Sequence, residues 1–379
     1  MKKNKNSLFY KLYGVIFAAV IIGCTFCFVI LPKNEYSSRE KRVLASFPQL
    51  SAASVTDGRF MEGLEDYEAD HFPARDGLIT LKTEAAALMG KKSSHGIIRL
   101  DADHLAECFT EPGAQDTTEL TWAVNAFATR HADSKTYFCL VPNAVSTYSD
   151  RAGEYCPGDD QNAYIDDIYR GLSSLKAIDV REIFALNKDR VDIYYASDHH
   201  WTSDGAYMGF LAAQAVMGLT SQEYSAVVID NEFLGTLSGS SGYTLSKMDS
   251  VKVYLPLSQQ NYTVSYDGEG RMAVSCYDTT KLEEDDKYLV FFGGNYPRIT
   301  IKTDCGEGRK LLLIKDSYAN CFVPFLLRSY EQITVIDPRY YSEDLDLQAD
   351  SVGYDDILFL YNVNTLSKDN CLVSVLNNR

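Results

Sequence analysis

Residues 311–322 read LLLIKDSYANCF. An apolar run at 311–314 has the character of a core strand, Lys315, Asp316 and Ser317 break it, and a helical pattern follows. A serine at such a junction sits at the carboxyl edge of a sheet, with the N–H groups of the helix start around it. That geometry suits a nucleophile with an oxyanion hole. The commoner use of the same pattern is capping, with Asp316 or Ser317 closing the first turn.

Outward from this junction, apolar runs rich in β-branched and aromatic residues recur at 137–141, 178–183, 333–336 and 357–361. They read as further core strands. Helical patterns lie between them at 164–175, at 205–217 ending on Gly218, and at 319–330. The alternation predicts an α/β fold, a doubly wound parallel sheet with helices on both faces. Between 231 and 303 the character changes to alternating segments, VKVYL, YTVSY and MAVSC, with a small-residue stretch GTLSGSSG at 235–242. This region reads as a β-rich insertion whose Gly/Ser stretch is a surface loop or the border of a substrate cleft.

The amino-terminal end has another character. Residues 1–7, MKKNKNS, carry three lysines, and residues 8–31 are apolar apart from Lys11 and a few small polar groups, long enough to cross a bilayer. Residues 1–31 therefore read as a cytoplasmic stub and signal anchor, with everything after Pro32 outside the membrane. IIGC at 21–24 also fits a lipoprotein cleavage pattern, so a cleaved or lipidated signal is the alternative. Residues 32–56 read as a polar tether and 57–379 as the extracytoplasmic domain. Within that domain, apolar spacing at Phe60, Leu64 and Tyr67 and at Leu78, Leu81, Ala85 and Leu88 predicts a helix pair broken by DHFPARDG.

With 46% hydrophobic and 23% charged residues among 379, the chain is globular rather than disordered. Its 36 Lys and Arg against 52 Asp and Glu give a net charge of −16, which leaves little material for a nucleic-acid surface. The same acidity favours a neutral or weakly charged partner over an anionic polymer. Twenty-six tyrosines suit stacking against sugar rings, and equally an aromatic core. Of nine cysteines, Cys24 and Cys27 fall in the apolar run; Cys108, Cys139, Cys156, Cys276, Cys305, Cys321 and Cys371 are odd in number and contain no CxxC. Buried free thiols fit better than a disulfide framework or a zinc ribbon.

The densest polar cluster is SDHHWTSD at 197–204, directly ahead of the helix near Gly205. An Asp two positions before a His, in an extended or tightly turned backbone, can hold imidazole Nδ1 so that Nε2 faces a nucleophile. Asp198 and His200 then form an orienter and a base. In an extended segment His199 points the opposite way, towards the domain body or solvent. The alternatives are capping of the following helix by Thr202 or Ser203 with Asp204 at its positive end, or a metal site. Adjacent histidines diverge and no HExxH accompanies them, so no metal is expected. Together with Ser317, the two clusters supply the hydroxyl, imidazole and carboxylate that acyl transfer needs.

SDHHWTSDGAY at 197–207 carries the motif of the DHHW protein family, which is similar to periplasmic alginate O-acetylation proteins with an SGNH-hydrolase-like domain. The resemblance extends to REKRVLASFPQL (39–50), DGRFMEGLEDYEADHFPARDGLI (57–79), VPNAVSTY (141–148), GTLSGSSG, FFGGNYP (291–297) and KDSYAN (315–320). It implies a flavodoxin-like, SGNH-type parallel sheet and a catalytic set of Ser317, His200 and Asp198, with Trp201 as a wall of the site. Gly294 or Asn295 in FFGGNYP is a candidate second oxyanion donor, although an ordinary strand-end turn accounts for GGN as well. Asp316 and Asn143 are further oxyanion or substrate candidates. The order Asp, His, Ser departs from ordinary SGNH hydrolases, where serine comes first, and Lys315 stands where a glycine often precedes the Asp-Ser pair.

What the resemblance implies is transfer of an acetyl group to, or its removal from, hydroxyls of a cell-surface or exported polysaccharide. No cofactor is called for. The acetyl donor is expected through a membrane-bound O-acyltransferase. The rival is a non-catalytic glycan-binding or assembly protein accessory to such an acyltransferase.

Overall fold

The computed structural model describes residues 3–152 and 157–377, so Cys156 lies outside the described residues. The chain parts into two compact units, Met1–Gly90 and Lys91–Arg379. The first begins with the helix Lys3–Ile30, in which Phe9–Ile30 is long and apolar enough to cross a membrane, with mean hydropathy 2.5. The stretch expected as a polar tether is folded. Strands Tyr36–Ser37 and Arg42–Val43 pair antiparallel, Arg42 Nη1 donates to Asp70 Oδ2 at 2.8 Å, and Glu40 meets Arg75 at 2.8 Å. The hydrogen bond from Arg42 holds the Asp70 carboxyl down at about 2. These ties join residues 36–45 to the helices Arg59–Asp70 and Arg75–Leu88, which is why the unit boundary falls at 90/91 rather than at the 56/57 expected from the sequence.

The second unit is built on one eight-stranded sheet. Its strands are labelled here in chain order: β1 (Lys135–Val141), β2 (Lys176–Ile178), β3 (Tyr262–Tyr266), β4 (Arg271–Ala273), β5 (Arg298–Thr303), β6 (Lys310–Lys315), β7 (Gln332–Ile336) and β8 (Asp356–Asn362). The spatial order is β4-β3-β5-β7-β6-β8-β1-β2. From β7 to β2 every pairing is parallel, and β5, β3 and β4 continue the sheet antiparallel. Part of the region 231–303, set apart above as an insertion, thus extends the main sheet. The rest forms the hairpin Tyr224–Phe233 with Asp249–Pro256 and a short helix.

Counted from β2, the parallel strands run 2-1-5-3-4 in chain order, where a flavodoxin-like sheet runs 2-1-3-4-5. Restarting the count at β6, the strand that leads to Ser317, and running cyclically through β7, β8, β1 and β2 restores 2-1-3-4-5. The sheet is a flavodoxin-type sheet with its chain order shifted by one cut between β8 and β1. This is the physical content of the Asp, His, Ser order.

The strands alternate between two cores, as a sheet covered on both faces requires. Tyr137, Cys139, Leu311, Leu313, Leu358 and Leu360 face one apolar cluster, to which the helix Ser203–Met217 adds Ala206, Phe210 and Ala213. Phe138, Leu140, Leu312, Ile314, Ile357 and Phe359 face the other, with Leu120, Val124 and Phe127 from Ala114–Arg130 and Tyr164, Ile165 and Ile168 from Gln161–Gly171. Phe138 and Phe359 stack with centroids 5.7 Å apart; truncating a buried ring of this kind costs about 3–5 kcal/mol. Cys139, Cys276 and Cys321 are buried free thiols, and no disulfide occurs among the described residues.

Two expected elements differ. The run 178–183 ends as a strand at Ile178, because Asp179 Oδ1 accepts the Arg181 N–H at 3.0 Å and starts the helix Arg181–Asn187. The helix expected over 319–330 is only Ala319–Phe322, followed by a 3₁₀ turn at Val323–Leu326. Pro324 has no N–H to continue an α-helical ladder. By contrast Gly218, at φ 65°, ends the helix Ser203–Met217 in the left-handed cap that its position predicts.

Candidate functional site

Ser317 follows β6 at the carboxyl edge of the parallel strands, where β6 lies beside β8. Asp316 Oδ1 accepts the Tyr318 N–H at 2.9 Å, and Oδ2 accepts the Asn362 N–H at 2.8 Å and its Nδ2. This fully buried carboxylate closes the turn and ties it to the end of β8, so Asp316 is part of the frame rather than an oxyanion donor. Burial pushes its pKa up to about 6. The Ser317 backbone N–H has no hydrogen-bond partner among the described residues. Its carbonyl accepts from Tyr288 OH at 3.0 Å and from the Asn320 N–H at 3.1 Å.

Lys315, where a glycine was expected, sends its side chain into the protein. Nζ donates to Asn320 Oδ1 at 2.9 Å, Asn295 Oδ1 at 3.1 Å and Asp337 Oδ2 at 3.2 Å. Burial lowers the Lys315 pKa, while for Asp337 the same burial is overcome by Lys315 and Arg339, which hold that carboxyl below its usual range. The turn after Lys315 is closed by Asp316 without a glycine.

Asp198 to His200 sit at the tip of a tight hairpin: Tyr194 bridges Trp201, Tyr195 N–H donates to His200 O, and Thr202 N–H donates to Ile193 O. Asp198 Oδ1 accepts the His200 backbone N–H at 3.0 Å, an Asx turn, and the His200 Nδ1 at 2.6 Å. His200 Nε2 lies 2.8 Å from Ser317 Oγ. Ser317, His200 and Asp198 thus form one hydrogen-bonded chain. His200 is further fixed by Tyr288, stacked at 3.7 Å and 12°. Because the backbone is turned rather than extended, His199 does not point away: its ring lies 3.9 Å from that of His200.

The hairpin is anchored from behind. Asp249 accepts the backbone N–H groups of Ala196 and Ser197 at 2.7 and 2.9 Å and the Ser197 hydroxyl. Thr202 caps the helix Ser203–Met217 through the Gly205 N–H, as the capping alternative foresaw, so capping and the His200 arrangement coexist in one segment.

The stretch GTLSGSSG is not a loose loop. It forms the short helix Thr236–Ser241, mostly buried, and Thr236 binds Asp198 Oδ2 through its N–H at 2.9 Å and its hydroxyl at 3.1 Å. Gly235 is required by space: a Cβ there would stand 2.2 Å from Asp198 Cβ. Thr236, Tyr288 and Asp249 are the site residues that sequence reasoning missed. The small residues of GTLSGSSG were the one signal available, since close backbone approach needs them.

Among the described residues, none of the remaining candidates hydrogen-bonds the Ser317 hydroxyl. Trp201 is fully buried, donates its indole N–H to Tyr318 O at 2.8 Å and stacks on Phe322, so it supports the serine turn from the core instead of forming a wall. Asn143 is buried between strand ends, where it donates to Tyr318 OH at 3.0 Å and accepts the Asn364 N–H at 3.1 Å. Asn295 accepts from Lys315 and from Asn320 Nδ2, and Gly294 stands at φ 135° in the turn before it. Asp198, His199 and His200 each bring a ligand-type atom within 4.8 Å of the others.

A cavity of about 460 Å³ opens beside the hairpin, lined among others by His199, Thr236, Glu107, Arg339, Asn362 and Lys368. Glu107 pairs with Lys368 at 2.5 Å, and Arg339 with Asp337 at 2.6 Å.

Fold and site together define an α/β protein with a serine, histidine and aspartate in hydrogen-bonded sequence at the carboxyl edge of a parallel sheet. The family model described as DHHW protein matches residues 40–135 and 116–336, and the chain belongs to that family. Its structure is similar to a DHHW family protein from Eubacterium siraeum DSM 15702, at 21% identity and TM-score 0.62 over 76% of this chain and 98% of that one. It is also similar to Bacillus cereus PatB1 with a sulfonyl adduct, at 20% identity and TM-score 0.61 over 73% and 96%. The O-acetyltransferase domain of Pseudomonas putida AlgJ is more remote, at 14% identity and TM-score 0.42 over 71% and 94%. No match is found among curated proteins. At these identities the likeness is one of fold.

Proposed function

We propose that the protein is an O-acetyltransferase or acetylesterase acting on hydroxyls of a cell-surface or exported polysaccharide, held at the membrane by Phe9–Ile30 with its second unit outside. The observation that carries the reading is the continuous path from Ser317 Oγ through His200 to Asp198, at 2.8 and 2.6 Å. Ser317 attacks the acetyl carbonyl as His200 Nε2 takes its proton, and Asp198 holds the imidazole in the tautomer that makes this possible. The Ser317 N–H supplies one donor to the developing oxyanion. The acetyl-enzyme then passes its acetyl to a sugar hydroxyl or to water. The cavity beside the hairpin is lined by charged side chains of both signs, Glu107 and Asp369 with Arg339 and Lys368, together with apolar surface, a mixture that suits the hydroxyls and C–H faces of a sugar ring.

The test is acetate release from p-nitrophenyl acetate by the purified chain. Ser317→Ala should lower the rate by about four orders of magnitude or more, with the thermal midpoint close to that of the parent. A sulfonyl adduct is recorded for PatB1, and an aryl sulfonyl fluoride should label this chain at Ser317 in the peptide map. Equal rates in parent and variant would move the assignment to a non-catalytic glycan-binding protein.

A further inference from the structure

His199 lies outside the path from Ser317 to Asp198, yet the same carboxylate orients it. Its Nδ1 stands 3.1 Å from Thr236 Oγ1 and 3.4 Å from Asp198 Oδ1. A carboxylate only accepts, so the single Thr236 hydroxyl proton goes to Asp198 Oδ2, leaving Oγ1 as an acceptor. Both neighbours of His199 Nδ1 are therefore acceptors. In the neutral ring the proton sits on Nδ1 and Nε2 keeps its lone pair. His200 is in the same state for the same reason, with Nδ1 on Asp198 Oδ1. Two imidazoles, their centroids 3.9 Å apart, thus present two acceptor nitrogens: His200 Nε2 to Ser317, and His199 from the half-exposed ring that lines the 460 Å³ cavity.

We propose that His199 Nε2 accepts a hydrogen bond from the hydroxyl adjacent to the one being acetylated, so that the site selects a vicinal diol, as a sugar ring offers. The proposal rests on the reading of Ser317 as acetyl carrier. In the transfer step the acceptor oxygen bonds to the acetyl carbon, the bond from that carbon to Ser317 Oγ breaks, and His200 moves the acceptor's proton to Ser317. The second hydroxyl stays on His199 throughout. His199 is thus a specificity-determining residue that touches the acceptor without carrying the transferred proton.

Asparagine and glutamine separate the two ends of the imidazole. His199→Asn keeps an amide near the Nδ1 position beside Thr236 and loses the reach into the cavity; His199→Gln places Oε1 where Nε2 stands. With the full chain in detergent, p-nitrophenyl acetate as donor and trans-cyclohexane-1,2-diol or cyclohexanol as acceptor, the readout is the ratio of kcat/KM for the two acceptors. That ratio does not depend on the fraction of protein folded. The parent should prefer the diol by about tenfold or more, the size of one hydrogen bond made in the transition state. His199→Asn should reduce the preference to about threefold or less while changing the rate of p-nitrophenol release by a smaller factor, and His199→Gln should keep most of it. A parent ratio near one, an undiminished ratio in His199→Asn, or a His199→Gln that falls with it overturns the proposal. Equal p-nitrophenol release by the parent and Ser317→Ala overturns the Ser317 reading and this one with it, which distinguishes the two failures.

Discussion

Thr236 holds the Asp198 carboxylate that in turn holds His200, with its N–H 2.9 Å and its hydroxyl 3.1 Å from Asp198 Oδ2. Thr236→Val keeps the shape and the N–H bond and removes the hydroxyl. A hydrogen bond to a charged group contributes about 1.5–3 kcal/mol, so kcat for acetyl ester cleavage should fall about ten- to a hundredfold. Rates within about twofold of the parent would show that the backbone N–H alone fixes Asp198. Asp316 offers a test of a different kind. Its folded pKa, about 6, lies above the ordinary aspartate value, so the folded state binds this proton more tightly than the unfolded chain. Its contribution is favourable at low pH and is lost as pH rises from about 4 to about 6, a change on the order of 3 kcal/mol. The difference in unfolding free energy between the parent and Asp316→Asn, measured by denaturant titration at stepped pH, should shrink for the parent across that window and level off above it. A difference that is flat throughout would place Asp316 in a less costly environment. At this scale the spacing of Asp198 and His200 was legible, because the Asx turn that joins them is local; Thr236, 38 positions from Asp198, was not. His199 was misread because an extended backbone was assumed where the segment turns.

Among the elements, the hairpin 193–202 and the start of the helix Thr236–Ser241 pack so closely at Gly235 that no Cβ fits there. Gly235 has an ordinary backbone conformation, φ −81°, so its role is space alone. In Gly235→Ala the methyl would meet Asp198 Cβ at 2.2 Å and Cα at 2.5 Å. One of the two elements has to move. Displacements of about 1 Å at reacting groups cost about a hundredfold. The esterase rate of Gly235→Ala should therefore fall at least that far, together with the thermal midpoint; a variant matching the parent in both would mean that the helix yields without moving Asp198. The core strands were legible because continuous apolar runs are what a twice-covered sheet demands. The short elements were not: Asp179 and Pro324 override the apolar pattern around them, and the Gly/Ser stretch reads as a loop until its burial is known.

On the scale of the whole molecule, the strand order matters more than any single contact. Sequence alternation pointed to a parallel sheet but carries no information about which strands are neighbours; the flavodoxin-like sheet came from the resemblance, and the strand order found is a cyclic shift of the flavodoxin one. The shift places β8, late in the chain, between β6 and β1, pairing with both. Asn362 at the end of β8 also binds Asp316, which closes the serine turn. The consequence concerns the order in which a ribosome delivers the parts. Asp198, His200 and Ser317 have all been synthesised before residues 356–362 exist, yet the sheet they stand on stays in two halves until that strand arrives as its keystone. A chain that stops short of residue 356 therefore has no closed sheet on which to align Ser317 with His200, and the two are brought together only after that strand has been added.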